Sequence, residues 1–204
     1  VDSPDDFETV GYDEQLDPNV IDIWLKSERR EKVHKHLRRR VYTSQTSCGI
    51  CGKEMIEDLQ QILTPAEDGF EIDIDRVHDC IDKLGDSQNH YETTRSSHAA
   101  LILDDQLEPV SFAEDVGRHN ALDKAIGKAL MDRKLSKARI AVLSSRNSYE
   151  LVQKAARARL PMMISVSRTT ALAVEMGKAL NMTLVFPGKS ELVIVCGEHR
   201  IKRA

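Results

Sequence analysis

Apolar runs alternate with amphipathic stretches over the second half of the chain. Residues 99–103 form an apolar run that predicts a strand, and 109–113 predict a second. Residues 116–131 carry helical spacing. Residues 140–143 are continuously apolar and predict a buried strand, followed by Ser-Ser-Arg-Asn-Ser and a helix over about 149–159. The same order recurs at 162–166, then Ser-Arg-Thr-Thr, then a helix through Leu180. Strands near 183–186 and 192–196 close the chain across a Pro-Gly-Lys turn. Strands and helices joined by short connections imply a layered α/β fold.

The first half reads differently. Residues 1–19 are acidic, with Pro4, Gly11 and Pro18 breaking any period, and are expected to be an irregular lead-in. Residues 20–25 predict a short strand and 28–40 a charged helix. A polar loop, TSQTSCGICGK, separates this from a helix over 53–63, whose apolar face is Met55, Ile56, Leu59, Ile62 and Leu63. A further helix over 74–84 carries Ile74, Val77, Ile81 and Leu84 on one stripe. The expected division is an amino-terminal portion, 1–92, and an α/β domain, 93–204.

With 204 residues and 41% hydrophobic positions the chain can bury a substantial core. It holds no run of about 18 apolar residues, so no membrane span is expected, and nothing has the form of a signal peptide. A formal charge of −4 argues against a general nucleic-acid binder. The basic stretch 26–40 is either a solvated helix face or a surface for an anionic partner. Four unevenly placed cysteines do not make a disulfide framework, which favours a reduced, cytoplasmic setting.

Cys48 and Cys51 form a CxxC on the Gly-rich loop, with Lys53 close behind. A helix start or a nearby cation lowers a thiol pKa, and two sulfurs at this spacing can meet. One can then carry a persulfide and the other resolve it. A structural zinc site needs four ligands, usually a second CxxC or a His pair, whereas Cys80 and Cys196 stand alone. A thioredoxin-type site would follow a strand in a βαβ unit. An inert buried pair fits a polar loop poorly. A reactive dithiol is the favoured reading, with no metal expected.

Candidate binding groups lie elsewhere. The connections 144–148 and 165–170 each leave an apolar strand and enter a helix, where open α/β sheets bind ligands. Helix capping by Ser and Thr is one reading; an anion site built from backbone N–H groups, Arg146, Ser148, Ser167 and Arg168 is the other. Neither connection matches a Walker loop or a GxGxxG fingerprint. Arg118 and His119 are expected early in a helix, with Glu114 and Asp115 suiting its dipole. His98 opens the strand block.

TSCGICGK, then HAA, then EDVGRHNALDKAIG, then SSRNSYELVQKA, in this order, resemble the formate dehydrogenase accessory protein family (FdhD, a sulfurtransferase) over nearly the whole chain. The resemblance implies a sulfur carrier that accepts a persulfide from a cysteine desulfurase. It would sulfurate the molybdenum (or tungsten) bis(molybdopterin guanine dinucleotide) cofactor before its insertion into formate dehydrogenase. It implies a cytidine-deaminase-like fold with a mixed sheet, a homodimer, and a small amino-terminal helical and loop portion carrying the CxxC. Cys48 would carry the persulfide with Cys51 as its partner. Phe186, Pro187, Gly188, Lys189, Ser190 and Glu191 fall where the family places a cofactor-binding segment. His98, Arg118, His119, Arg146, Ser148 and Ser167 are expected to line the nucleotide site.

The family usually has Thr-Gly-Gly where Thr94 is followed by Arg95 and Ser96, and glycine where Ser145 stands; side chains there narrow the approach of a ligand to the backbone. An amino-terminal segment of strands usual in the family is expected to be truncated. Base deamination is excluded: His98-Ala99-Ala100 lacks the Glu of H-x-E, and no later CxxC follows. A cofactor chaperone carrying no sulfur and a zinc-stabilised interaction protein are the alternatives.

Overall fold

The computed structural model describes residues 3–11, 20–37 and 63–203, with 34–37 as backbone alone. The CxxC loop and the predicted helix 53–63, apart from Leu63, lie outside the described residues. The chain divides into two compact units, Val1–Gly49 and Ile50–Ala204.

In the first unit, a 3-10 turn Pro4–Asp6 leads into strand β1 (Phe7–Gly11), which pairs antiparallel with β2 (Asp22–Leu25). This corrects the expected irregular lead-in. The acidic composition masked a strand whose partner lies over ten residues on, and cross-strand pairing outweighs weak local propensity. Helix α1 spans Ser27–Leu37. Its basic residues are not all free for a partner: Arg29 meets Asp6 at 3.3 Å, while Arg30 pairs with Glu8 and lies 5.8 Å above the Trp24 ring.

The second unit is built on one mixed sheet. After β3 (Ile72–Asp73), α2 (Ile74–Ser87) and α3 (Asn89–Thr94) come β4 (His98–Leu103), β5 (Pro109–Asp115) and α4 (Arg118–Met131). Then follow β6 (Ile140–Leu143), α5 (Tyr149–Arg157), β7 (Met162–Ser165) and α6 (Ala171–Ala179). The last strands are β8 (Thr183–Pro187), β9 (Leu192–Cys196) and β10 (Ile201–Lys202). Six strands form the sheet in the order β5-β4-β6-β7-β8-β9. β6, β7 and β8 are parallel to one another; β4, β5 and β9 run antiparallel to their neighbours. β10 instead pairs with β3, tying the carboxyl end beside α2.

Both faces of the sheet are covered, which is why its central strands read as unbroken apolar runs. Ala99, Leu101, Ile140, Val142, Met162 and Ile164 pack with Val77, Cys80 and Leu84 of α2. Ala100, Ile102, Ala141, Leu143 and Met163 face the other way, against α4, α5 and α6. Side chains alternate at period two, so neighbouring residues serve opposite layers. Glu114 and Asp115, expected just before a helix over 116–131, end β5, and α4 begins only at Arg118. The Asp115 carboxylate accepts the Gly117 N–H at 2.9 Å and closes the turn between them. Among the described residues no helix is long and apolar enough to cross a membrane.

Candidate functional site

The strand pairings bring the candidate residues of this unit to one edge of the sheet. His98 begins β4 opposite Asp115 at the end of β5, and Ala100 pairs with Leu143 at the end of β6. Leu143 pairs with Ser165 at the end of β7, and Ile164 with Val185 of β8. The groups that follow these strand ends share the edge: Arg118 and His119 after β5, Arg146 and Ser148 after β6, Ser167 after β7. The hairpin turn after β8 joins them. At about 4.8 Å between neighbours, the row from β5 to β8 is about 19 Å long.

Two connections are locked together at its centre. Asn147, wholly buried, bridges to Thr169; its carbonyl accepts the Thr170 N–H at 3.0 Å, and its Nδ2 donates to Thr169 Oγ1 at 3.4 Å. Its Oδ1 is buried without a partner among the described residues, as is Arg118 Nε. Buried polar atoms are ordinarily paired, so these orphans mark where a ligand or water fits. Ser148 occupies the N-cap position of α5 in extended backbone. Arg146, Ser167 and Arg168 are exposed beside it. Ser165 Oγ donates to the Ser167 carbonyl at 2.6 Å and shapes the second connection. Thr170 caps α6 through the Ala173 N–H, so the capping reading holds for that residue.

At the β4 end of the row, Ser144 Oγ accepts the Ala99 N–H at 2.8 Å and lies 3.5 Å from His98 Nδ1. His98 and Ser144 face a cleft of about 390 Å³, also lined by Gln88, Tyr91, Arg95, Ser96, Ser97 and Val166. The wall made by α3 is held by Glu114, whose carboxylate accepts the N–H groups of His90 and Tyr91 at 2.9 Å each and the Ser97 hydroxyl at 2.9 Å. Glu114 thus stabilises a helix start, but of α3 and not of the helix that follows it in sequence. Tyr91, Arg95, Ser97 and Val166 carried no motif as ligand-lining residues. Arg95 and Ser96 were singled out only as side chains that narrow a ligand's approach to the backbone.

Electrostatics sharpen the α4 end. Lys124 donates to Asp115, which with the Gly117 N–H and Asn120 holds that carboxyl down at about 2. Burial and the adjacent Arg118 charge lower the His119 pKa below its ordinary value. At the β8 end, Phe186 and Pro187 belong to the strand, and Gly188, Lys189, Ser190 and Glu191 form an exposed turn closed by Gly188 N–H to the Glu191 carbonyl at 2.8 Å. A side chain at Gly188 would begin 2.5 Å from that carbonyl, so the turn requires glycine.

Cys48 and Cys51 lie outside the described residues. Cys80 and Cys196 are free and buried, in the two cores on opposite faces of the sheet. With the sheet between them, these two cysteines cannot share one metal ion. Among the described residues no cluster of three His, Cys, Asp or Glu side chains could hold a metal.

The strand ends thus bring Arg118, His119, Arg146, Ser148 and Ser167 to one edge, and the chain has relatives among known proteins. A protein of Xanthomonas campestris pv. campestris named sulfur carrier protein FdhD is 36% identical over 185 residues, which cover 91% of this chain and 65% of that protein. A protein of the same name from Bordetella parapertussis is 38% identical over 165 residues, 80% of this chain and 60% of its own length. The chain thus spans just under two thirds of these relatives. A crystal structure described as a formate dehydrogenase accessory protein from Desulfotalea psychrophila superposes with a TM-score of 0.71 at 20% identity, over 99% of this chain and 74% of that one, and shares the fold. The FdhD/NarQ family model matches residues 1–202, and the chain belongs to that family.

Proposed function

We propose that this protein is a sulfur carrier that loads persulfide sulfur on the Cys48/Cys51 pair from a cysteine desulfurase. It passes that sulfur to a molybdenum or tungsten bis(molybdopterin guanine dinucleotide) cofactor destined for formate dehydrogenase. The observation that carries the reading is the convergence of His98, Arg118, His119, Arg146, Ser148, Ser167 and the turn 186–191 on one sheet edge. Such an edge offers N–H groups and cations at several points along about 19 Å, and a dinucleotide presents phosphates and bases over a comparable length. The names of the relatives support the sulfur-carrier part.

In loading, a thiolate of the pair attacks the outer sulfur of the desulfurase persulfide. One S–S bond forms on this protein, the S–S bond on the desulfurase breaks, and the desulfurase cysteine leaves as thiolate; no external oxidant is needed. The antiparallel β4 beside parallel β6, β7 and β8 supports a cytidine-deaminase-like arrangement without deaminase chemistry. A homodimer working in the cytoplasm completes the proposal.

The test is intact-mass spectrometry after incubation with a cysteine desulfurase and cysteine. A gain of about 32 Da per sulfur, reversed by reductant and abolished in Cys48→Ala or Cys51→Ala, is expected. No gain, with the desulfurase active on a control acceptor, would overturn the carrier role.

A further inference from the structure

We infer that Arg95 is a phosphate-binding residue of the cleft beside His98 and Ser144. The inference rests on the edge being a nucleotide site and names one of its contacts.

Arg95 caps α3 with φ 53° and ψ 22°, the left-handed region that a β-carbon disfavours and glycine occupies freely. Its N–H donates to the Tyr91 carbonyl at 2.8 Å, so the conformation is fixed by the end of the helix. Arginine thus stands at a position suited to glycine, and it lines the cleft. The guanidinium lies 5.3 Å over the Tyr91 ring, yet it makes no hydrogen bond or ion pair with any described residue. Stacking restrains the plane of the group and leaves its N–H edge for a ligand.

The surroundings suit an anion. Among the described residues none lining the cleft is acidic. Glu114, the carboxylate behind the wall, is occupied by His90, Tyr91 and Ser97. Ser96, Ser144 and His98 add hydroxyl and imidazole groups along the same wall. A volume of about 390 Å³ falls within the usual range of small-molecule sites. A planar guanidinium facing such a space recognises phosphate oxygens through two parallel N–H bonds. The ligand class is a phosphorylated group of nucleoside diphosphate type.

Titration calorimetry of the whole chain with GDP and with guanosine, on wild type, Arg95→Gly and Arg95→Lys, tests this. Arg95→Gly is expected to weaken GDP binding about tenfold or more and leave guanosine binding unchanged. Its Tm should hold or rise by about 2–4 °C, because glycine relieves the left-handed backbone. Arg95→Lys keeps the charge without the fork and should fall between. Equal GDP affinity in wild type and Arg95→Gly, or equal losses for GDP and guanosine, would overturn the role of Arg95. Wild type that binds neither compound would instead sink the nucleotide reading of the edge, and this inference with it.

Discussion

Arg200 is wholly buried, yet its Nη2 donates at 3.2 Å to the carboxylate of Asp68, a side chain that is 73% exposed. The same guanidinium donates to the carbonyl of Glu67 at 3.0 Å and, through Nη1, to that of Asn181 at 2.7 Å. Asn181 Nδ2 in turn donates to the Ala66 carbonyl at 2.8 Å. Together these side chains fasten residues 66–68 to the turn before β8.

Replacing Arg200 leaves two part-buried carbonyls without their donor, so Arg200→Met should cost about 2 kcal/mol in denaturant unfolding. Asp68→Asn should cost clearly less, since water can solvate what remains. Equal losses for the two variants would show that the ion pair, and not the carbonyl contacts, holds the segment.

Glu114 gives a pH signature. Burial raises its pKa, but the His90 N–H, the Ser97 hydroxyl and the Tyr91 N–H together outweigh this and leave it below the ordinary 4.5. A carboxyl lowered in the folded state contributes stability that is complete above its unfolded pKa and is lost as pH falls through the folded one. Glu114→Gln should therefore be less stable than wild type by about 1 kcal/mol at pH 7. The gap should narrow as pH falls below the ordinary carboxylate value and close below the folded pKa. Thermal melts at pH 7, 5 and 3 read this directly; a gap as wide at pH 3 as at pH 7 would assign the loss to packing.

Gly177 on α6 packs against β8 and β9. A β-carbon there would lie 2.7 Å from Leu184 Cδ1 and 2.9 Å from Cys196 Sγ. In an open helix, alanine would stabilise by about 1 kcal/mol over glycine. Here overpacking should reverse the sign, and Gly177→Ala is expected to lose about 1–2 kcal/mol. A rise in the denaturation midpoint would mean that the Leu184 side chain moves aside at little cost.

Cys80 and Cys196 should be chemically silent. Burial pushes the Cys80 thiol up to about 11, and it raises that of Cys196 as well. Iodoacetamide at pH 8 should leave both unmodified in the native protein and alkylate both after denaturation, as read by peptide mass spectrometry. Modification of either in the native state would point to opening of the core around it.

The α/β class and most strand and helix positions of the second unit were legible because its periods are strong and its connections short. Residues 140–143 and 162–165 are buried on both faces and could be read as strands from composition alone. The CxxC spacing and the ordered motif strings carried the family. Other features depend on partners far away in the chain. β1 exists because Asp22–Leu25 pairs with it, and the acidic Glu114 became the cap of α3, a helix 24 residues earlier, because β5 lies antiparallel to β4. Arg200 reads as a surface charge until residues 66–68 and 181 close around it. The order β5-β4-β6-β7-β8 cannot be read from any local period, yet it alone sets His98, Arg118, Arg146 and Ser167 on one edge. Local periodicity encodes which residues face a core; only the closed sheet, through hydrogen bonds between strands distant in sequence, decides which chemistry meets at its rim.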